Sequence, residues 1–311
     1  MSKIVTITFS PCIDKSTSVN ALVPEKKLYC ALPKLEPGGG GINVARAIIK
    51  LGGEATAIYP SGGYTGKFLN HLVEQEGLTS RIIHTKNETR ENITIFEETT
   101  NKQYRFGMPS STLQTNEWEE IIATIKAIKD IEFLVASGSL PPGVPLDIFG
   151  QLAKIAKNEN AKFIVDTSGE PLKHATDVGV FLIKPNLDEL SFLAGKKQLL
   201  PNEIKEIATE LIAAGKCQNI VVSMGAKGAL LFTKDSSFSI APPSVVPLST
   251  VGAGDSMVGG IIYYLSLDSS MIDAVHYGVA CGTSATMRAG TELCKKEDAD
   301  EIFNRVVVAN L

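Results

Sequence analysis

Apolar and polar positions follow a regular rhythm from about residue 130 onward. Short, continuous apolar runs of strand length alternate with longer segments in which apolar residues recur every three or four positions. The pattern predicts buried strands over 133–136, 163–166, 180–183 and 220–223, and helices over 145–157, 202–214, 254–267 and 270–287. Strands that alternate with helices predict an α/β fold whose mostly parallel sheet is covered by helices.

Two stretches of the chain interrupt that rhythm. Residues 12–37 are mostly polar and contain prolines, and residues 89–107 include segments that alternate apolar and polar side chains as strands do. We interpret the two stretches together as a small β-sheet outside the main domain. Because the sequence shows no repeat or flexible linker, residues 1–311 are predicted to form a single α/β domain that carries this small sheet.

Composition excludes several classes of protein. The chain has 311 residues, of which 44% are hydrophobic and 21% charged, and such a chain can bury a large core. A net charge of −4 provides no basic field, so we expect neither nucleic acid nor an anionic membrane as a partner. The five cysteines are scattered without C-x-x-C spacing, and no apolar run approaches the ~20 residues of a membrane span. We therefore expect a cytoplasmic protein.

The strongest candidate for chemistry is the sequence Gly252-Ala253-Gly254-Asp255 at the start of an apolar helix. The first amides of a helix have no partner within it and the helix dipole favours anions there, so small residues let a phosphate approach closely. Such an anion hole stabilises charge on a transferring phosphoryl group, and a nearby carboxylate can accept the proton of the attacking hydroxyl. Asp255 is the candidate base. The alternative is an aspartate that only complements the helix dipole.

Four consecutive glycines at 38–41 lead into another apolar helix. Glycines lose much conformational entropy on folding, so this run is understandable where a ligand lies against backbone amides. Asn43 then offers a donor and an acceptor to a polyol. A dinucleotide-binding loop is one alternative, but G-x-G-x-x-G is out of frame and no buried strand precedes the run. A tight turn without a ligand is the other.

The end of the strand 180–183 carries a further set of polar residues. Lys184 follows that strand, and Asn186 and Glu189 lie three positions apart at the start of a helix. A lysine at the carboxyl edge of a parallel sheet can meet nucleotide phosphates, and an amide with a carboxylate suits Mg²⁺, which prefers oxygen ligands. The same spacing also satisfies a capping box, with Asn186 as the N-cap and Glu189 at N3. Both interpretations stay open here.

Other candidates are weaker when taken alone. The turn at 223–228 has glycines that could let a nucleotide lie across it, and Ser139 ends a strand before a Pro-Pro-Gly turn. Asp14 follows the first strand, where a turn or cap residue is the more ordinary interpretation. Arg90 and Arg105 lie in the stretch 89–107, and an exposed arginine is normally solvated. If both pointed inward, they would clamp an anionic group of a substrate.

Four motifs, in this order, resemble those of the ribokinase-like (PfkB) family of carbohydrate kinases. They are the run 38–46, Gly138-Ser-Leu-Pro-Pro-Gly143, Lys184-Pro-Asn-x-x-Glu189 and Gly252-Ala-Gly-Asp255, and the likeness covers essentially the whole chain. Together with Tyr104-Arg-Phe106 and Gly290-Thr-x-Leu-Cys294, they look most like the bacterial 6-phosphofructokinase branch. Related fructose-1-phosphate and tagatose-6-phosphate kinases usually carry lysine where Gly40 stands.

The resemblance implies a doubly wound α/β domain, with helices on both faces and a β lid from about 12–37 and 89–107 that also makes a homodimer interface. It implies ATP and Mg²⁺ as cofactors. The residues that it assigns to the sugar phosphate are Asp14, Lys27, Gly39, Gly40, Asn43, Arg90, Arg105 and Ser139. Those that it assigns to ATP are Lys184, Asn186, Ser223, Gly225 and Gly228, with Glu189 ordering Mg²⁺ through water.

The implied activity is transfer of the γ-phosphoryl group of ATP to the C1 hydroxyl of fructose 6-phosphate, with Asp255 as base. Tagatose 6-phosphate and fructose 1-phosphate are alternative substrates. A regulator that binds nucleotide or sugar phosphate without turnover is a different class of function, although the intact Asp255 argues against it. Many family members have aspartate in place of Ser249, at a position associated with a monovalent cation, so potassium is an open expectation.

Overall fold

The computed structural model describes residues 3–311. Its strands are β1 Ile4–Ile7, β2 Cys12–Val19, β3 Lys34–Gly38, β4 Thr56–Gly62, β5 Thr79–Thr85, β6 Arg90–Glu97, β7 Lys102–Phe106, β8 Phe133–Ser137, β9 Lys162–Asp166, β10 Val180–Ile183, β11 Cys217–Ser223, β12 Ala229–Phe232, β13 Ser237–Ala241 and β14 Val307–Asn310. Its α-helices are α1 Gly40–Lys50, α2 Gly63–Gln75, α3 Thr115–Ala127, α4 Ile148–Asn158, α5 Gly169–Val178, α6 Leu187–Leu193, α7 Glu203–Ala213, α8 Ala253–Leu265, α9 Met271–Thr286 and α10 Lys296–Phe303.

Ten strands form the large sheet in the order β14-β13-β12-β11-β10-β9-β8-β1-β4-β5. The strands from β11 to β5 in that order pair in parallel, whereas β12, β13 and β14 form an antiparallel edge. The predicted α/β fold with a mostly parallel sheet is therefore confirmed. The hydrophobic pattern did not reveal β4, β5 and the antiparallel edge strands β13 and β14.

Helices cover both faces of the large sheet, and the side chains of β8 show how. Leu134 and Ala136 belong to a buried cluster with α3, α4, α5, α6 and α7. Phe133 and Val135 point to the opposite face, where the cluster is completed by α1, α2, α8, α9 and α10. Because successive side chains of a strand alternate between faces, an all-apolar strand buried on both sides is expected here. The fold is doubly wound.

The strand order reverses at β1. The chain passes from β1 to β4 on one side, while β8 pairs with β1 on the other. In open α/β sheets such a reversal leaves a crevice at the carboxyl ends of the two strands, and ligands bind there. The segments that follow β1 and β8, beginning at Thr8 and Gly138 respectively, lie at this crevice.

The two stretches that interrupted the strand–helix rhythm form a separate sheet in the order β3-β2-β6-β7. The strand β2 pairs with β6 in parallel, and the other two pairings are antiparallel. The small β-sheet that the sequence predicted is confirmed. Asp14 lies within β2 of this sheet, so its interpretation as a turn or cap residue is wrong. The residue is held extended by pairing with Glu36 and Asn92.

The predicted elements of the second half occur within a few residues of their predicted bounds. The start of β11 at Cys217 lies three residues before its predicted start at 220. The helix α4 begins at Ile148, three residues after its predicted start at 145, because the turn that carries Pro141, Pro142 and Pro145 occupies the preceding residues. Among residues 3–311, no helix combines the length and the apolar character needed to cross a membrane.

Candidate active site

The helix α8 begins at the predicted anion hole. Gly252 precedes it with a φ of 75°, a left-handed conformation that favours glycine. A Cβ added there would lie 2.8 Å from the Leu293 side chain, so packing also excludes a larger residue. The first four amides, from Gly252 to Asp255, have no carbonyl partner within the helix and are available to an anion.

Asp255 is joined to the other glycine-rich motif by a hydrogen bond. Asn43 Nδ2 donates to Asp255 Oδ2 over 2.9 Å. Asn43 lies in the first turn of α1 and Asp255 in the first turn of α8. The two glycine-rich motifs therefore meet in the fold, although these two residues lie 212 positions apart in the chain.

The electrostatic surroundings of Asp255 suit a base. Burial, followed by the Asp166 carboxylate, raises its pKa to about 6, while the Asn43 hydrogen bond and Lys184 act in the opposite direction. A general base works best when its pKa lies near the working pH, because it must be both ionised and able to accept a proton. Asp255 meets that condition near neutral pH.

Lys184 is nearly buried at 8% exposure and forms an ion pair with Asp166, with 3.1 Å between Nζ and Oδ1. Burial is the largest single effect and opposes its charge, but the Asp166 carboxylate together with Glu189 and Asp255 outweighs burial, and the pKa of Lys184 is raised. A Cβ added at Gly254 would lie 3.5 Å from Lys184 Nζ. The structure thus places a permanent cation beside the anion hole.

Asp166 is a candidate site residue that the sequence reasoning missed. It ends β9, next to the strand that leads to Lys184, and it raises the pKa of Asp255 and of Glu189. Its position at the carboxyl end of a buried strand was the only signal in the sequence. That signal is shared by many residues that bind nothing.

Asn186 and Glu189 form a capping box. Asn186 Oδ1 accepts from the Glu189 amide over 2.8 Å, and Glu189 Oε2 accepts from the Asn186 amide over 2.9 Å. Asn186 is therefore the N-cap of α6 and Glu189 its N3 residue, so the capping box that the spacing allowed is present. Burial is the main reason that the pKa of Glu189 is raised, and Asp166 adds to it. A cation next to the Glu189 and Asp166 carboxylates would oppose this rise and lower the pKa of Glu189.

The predicted nucleotide turn lies beside this cap. Ser223 ends β11, and its amide donates to the Pro185 carbonyl over 2.9 Å. A 3₁₀ turn, Gly225–Lys227, follows, and Gly225 has a φ of 60°. At Gly228, with a φ of 87°, an added Cβ would lie 2.0 Å from the Ile240 carbonyl oxygen. Packing alone therefore requires glycine at 228, whereas Gly225 faces open space.

The small sheet carries Asp14 to the glycine run. Asp14 Oδ1 accepts from Asn92 Nδ2 over 3.1 Å and from the Cys12 thiol over 3.4 Å. A Cβ on Gly38 would lie 2.2 Å from Asp14 Oδ2. The first glycine of the run is therefore required by the Asp14 carboxylate, which packs against its backbone. Asn92 was also missed, because one asparagine in a strand carries no signal of this kind.

Gly39 and Gly40 lie at the crevice between β1 and β8. Gly39 has a φ of 111°, and a Cβ there would lie 2.7 Å from a methyl carbon of Thr8. A Cβ on Gly40 would lie 2.3 Å from Ser137 Oγ. Any larger residue at Gly40 would require the end of β8 to move. Ser139, two residues beyond that end, is exposed.

The two lid arginines have separate partners. Arg90 donates to the carbonyls of Met108 over 2.9 Å and of Ser10 over 3.3 Å. Arg105 Nη2 donates to Thr250 Oγ1 over 2.9 Å, two residues before Gly252. Arg105 therefore reaches from the small sheet to the loop that enters the anion hole.

Lys27 is the candidate that lies apart from the others within this chain. It is exposed in the connection 20–33 between β2 and β3, and its ammonium lies 5.2 Å from the centre of the Tyr29 ring. Among residues 3–311, no hydrogen bond or ion pair joins Lys27 to Asp14 or to the two arginines.

A model of the pfkB family of carbohydrate kinases matches residues 7–298. The chain belongs to this family. It is 42% identical over 304 residues to the ATP-dependent 6-phosphofructokinase isozyme 2 of Escherichia coli K12, covering 97% of this chain and 98% of that protein. It is also 31% identical over 309 residues to a 1-phosphofructokinase of Borreliella burgdorferi, covering 99% of each protein. The crystal structure of Escherichia coli phosphofructokinase-2 with potassium superposes with a TM-score of 0.94 at 42% identity, covering 98% of this chain and 99% of that one.

The raised pKa of Asp255 predicts that the ionised carboxylate lowers the free energy of unfolding of the protein. The folded protein holds that pKa at about 6, and the unfolded chain returns it to about 4. Stability therefore falls as the pH rises from about 4 to about 6. We expect Asp255→Asn to raise the free energy of unfolding by roughly 1–3 kcal/mol at pH 8 and by less at pH 5. Urea unfolding at both pH values measures this. A variant less stable than the parent at pH 8 would contradict the argument.

Proposed function

We propose that the chain is an ATP-dependent 6-phosphofructokinase, which transfers the γ-phosphoryl group of ATP to the C1 hydroxyl of fructose 6-phosphate and yields fructose 1,6-bisphosphate and ADP. The observation that carries the proposal is the Asp255 carboxylate, which lies in the first turn of α8 and is bound by Asn43 from the glycine run. A sugar hydroxyl that contacts Asn43 would also lie next to the base.

In this proposal Asp255 accepts the proton of the C1 hydroxyl while the hydroxyl oxygen attacks the γ-phosphorus. The bond between that phosphorus and the bridging oxygen breaks, and ADP leaves with that oxygen. The amides at Gly252, Ala253 and Gly254 face the phosphoryl oxygens, whose charge they stabilise. Lys184 supplies a positive charge beside the same oxygens. Closure of the small sheet over the sugar would exclude water, which would otherwise compete as acceptor.

Glu189 and Asp166 are the side chains that would hold Mg²⁺ together with the phosphates of ATP. No group of three or more histidine, cysteine, aspartate or glutamate side chains arranged to hold a metal ion occurs within residues 3–311. One or two carboxylates with phosphates and water are the usual ligands of Mg²⁺ in kinases, so this sparse donor set fits. The ion would neutralise charge between the transferred and the leaving phosphates.

The nucleotide would lie across the turn 223–228, next to Asn186 and Ser223, with its phosphates toward Lys184. The parallel bridge between Asn186 and Ser223 keeps these two residues adjacent. The open space at Gly225 leaves room for a nucleotide.

Two features favour fructose 6-phosphate over other ketose phosphates as the substrate. They are the arginines of the small sheet and the glycine at position 40. We assign the hydroxyls of the sugar to Asp14 and Gly39, and its 6-phosphate to Arg90 and Arg105 with Ser139. Lys27 lies apart from them within the single chain and is not included in this assignment. Kinases in the family that act on fructose 1-phosphate or tagatose 6-phosphate usually carry lysine at the position of Gly40, where the Ser137 hydroxyl leaves no space for a Cβ in this chain.

A panel of substrates tests the function. Coupled ADP release is measured with fructose 6-phosphate, fructose 1-phosphate, tagatose 6-phosphate and free fructose. We expect the highest kcat/KM with fructose 6-phosphate and a kcat at least about a hundredfold lower for Asp255→Asn, since general-base contributions reach ~10²–10⁴-fold. Sugar binding by that variant should remain.

Each other outcome has a definite meaning. A variant that keeps more than about a tenth of the activity removes Asp255 as base. Preference for another ketose phosphate overturns the substrate assignment. If no sugar gives ADP, the regulator without turnover becomes the better explanation.

We further propose a potassium site beside the anion hole. Ser249 Oγ donates to the Gly290 carbonyl over 2.7 Å and accepts from the Val251 amide over 3.2 Å. Hydroxyl and carbonyl oxygens are suitable ligands for a hard monovalent cation, and the superposable Escherichia coli enzyme has a structure with potassium.

The potassium proposal predicts several-fold higher activity in potassium chloride than in tetramethylammonium chloride at equal ionic strength. Ser249→Ala should weaken this dependence, and Ser249→Asp, which introduces the residue common in the family, should keep it. Equal rates in the two salts would refute the site.

The small sheet also supports a homodimer. Apolar side chains are exposed on it and on the adjoining segments, among them Leu32 at 96%, Tyr29 at 78% and Phe106 at 46%. Exposed apolar patches of this kind mark interfaces, and the occupant that we propose is a second copy of the chain.

The five cysteines are free thiols, which is compatible with the cytoplasm that we propose as the location.

We expect Leu32→Asp to dissociate the dimer, because a charge would be buried in the interface. Light scattering after size-exclusion chromatography measures the mass. The matched control is Leu200→Asp, at a site that is 61% exposed outside the small sheet, and it should leave the mass unchanged. A monomeric parent, or a Leu32→Asp variant that keeps the parent's mass, would refute this interface.

A further inference from the structure

Arg46 is a buried arginine that has no role in the proposed reaction so far. It lies on α1, one turn after Asn43, and is only 1% exposed. A guanidinium carries five donors and cannot lose its charge in a protein, so full burial requires acceptors and a compensating negative charge. The partners of Arg46 therefore indicate what the residue is for.

Two carboxylates neutralise the guanidinium. Glu76, just after α2, accepts from Nε over 2.8 Å and from Nη2 over 2.6 Å, which makes a bidentate pair. Glu36, on β3, lies 3.4 Å from Nη2 and is itself only 6% exposed. Its other oxygen accepts from Thr291 Oγ1 over 2.7 Å. These contacts fix the plane of the guanidinium from two sides.

The remaining nitrogen, Nη1, faces Asn43 and the glycine run. It donates to Asn43 Oδ1 over 3.1 Å and to the Pro37 carbonyl over 2.8 Å. An arginine nitrogen can only donate, so the amide atom of Asn43 that faces it must be the oxygen. The Nδ2 group must then point to the other side, where Asp255 Oδ2 lies 2.9 Å away.

We propose that Arg46 is a positioning residue for phosphoryl transfer, because it fixes the orientation of the Asn43 amide and thereby holds the Asp255 carboxylate toward the acceptor hydroxyl. If the amide were free to rotate, its oxygen could face the carboxylate, and two acceptors repel each other. The inference rests on the proposed role of Asp255 as base. Arg46 itself contacts neither the base nor, in this proposal, a substrate.

Arg46→Lys tests the proposal. Lysine keeps the positive charge for Glu36 and Glu76, but its single ammonium cannot keep the bidentate pair and reach Asn43 as well. We expect kcat to fall about 10- to 100-fold, as misplacement by about 1 Å can cost 10²-fold, while KM for ATP stays close to the parent value. An unchanged kcat overturns the proposal.

A double-mutant cycle separates positioning from general damage. If Arg46 acts through Asn43, then in an Asn43→Ala background Arg46→Lys should change kcat by less than about threefold, since residues that act as a unit are not additive. If Arg46→Lys lowers kcat by the same factor in both backgrounds, the proposal is wrong. If Arg46→Lys does not fold, the pair Arg46→Met with Glu76→Gln removes both charges together and enters the same cycle.

Thr291→Val is the matched control. It removes the hydrogen bond to Glu36 in the buried ionic cluster of Glu36, Arg46 and Glu76, but leaves every contact of Arg46 in place. We expect a lower melting temperature and an unchanged kcat. A loss of kcat equal to that of Arg46→Lys would show general loosening and overturn the proposal. An active Asp255→Asn enzyme would instead refute the base, so the two failures can be distinguished.

Discussion

The hydrogen bond between Asn43 and Asp255 joins the starts of α1 and α8, and much of the local sequence serves to make it possible. The helices can approach only because the facing residues are small. A Cβ on Gly259 would lie 2.7 Å from the Ala47 Cβ and 3.1 Å from the Val44 carbonyl oxygen. The glycines of both motifs therefore have two functions. Some leave amides open to a ligand, and others allow the helices to pack closely enough for one amide to reach one carboxylate.

Close packing concentrates charge at the same edge of the sheet. The Asp166 carboxylate raises the pKa of both Asp255 and Glu189, and Lys184 lowers both while it pairs with Asp166. Without a ligand the carboxylates are held against their mutual repulsion and against burial, so the pKa values of Asp255 and Glu189 are raised. A divalent cation or the proton of a hydroxyl would stabilise these carboxylates, and Lys184 would stabilise phosphates. The charges of the site are therefore complementary to those of a nucleotide with its metal ion.

The sequence predicted those parts of the molecule whose cause is local. The strands of the second half, the helix start at Gly252 and the capping box of Asn186 each depend on neighbouring residues, and the structure contains all three. Asp166 and Arg46 could not be identified in this way. Their surroundings depend on strand order and on helix packing, and an arginine in an amphipathic helix ordinarily points to water. The lid arginines are intermediate, because their strands were foreseen but their partners at Met108 and Thr250 were not.

The buried ionic cluster connects the small sheet to Asp255, because Glu36 contacts Arg46, which donates to Asn43. Glu36 belongs to β3, pairs with Asp14 across the strands, and touches the arginine that orients Asn43. A displacement of β3 would thus act together on Asp14, which we propose to bind the sugar, and on the orientation of Asp255, which we propose as the base. Because the pair Arg46–Glu76 anchors the cluster to α1 and α2, such a displacement would have to stretch charge-assisted bonds in a poorly solvated place, where they are costly to break. The strand β6 is paired along its whole length with β2, so β3, β2 and β6 are expected to stay fixed and movement of the lid to be confined to β7 and the exposed connection 20–33.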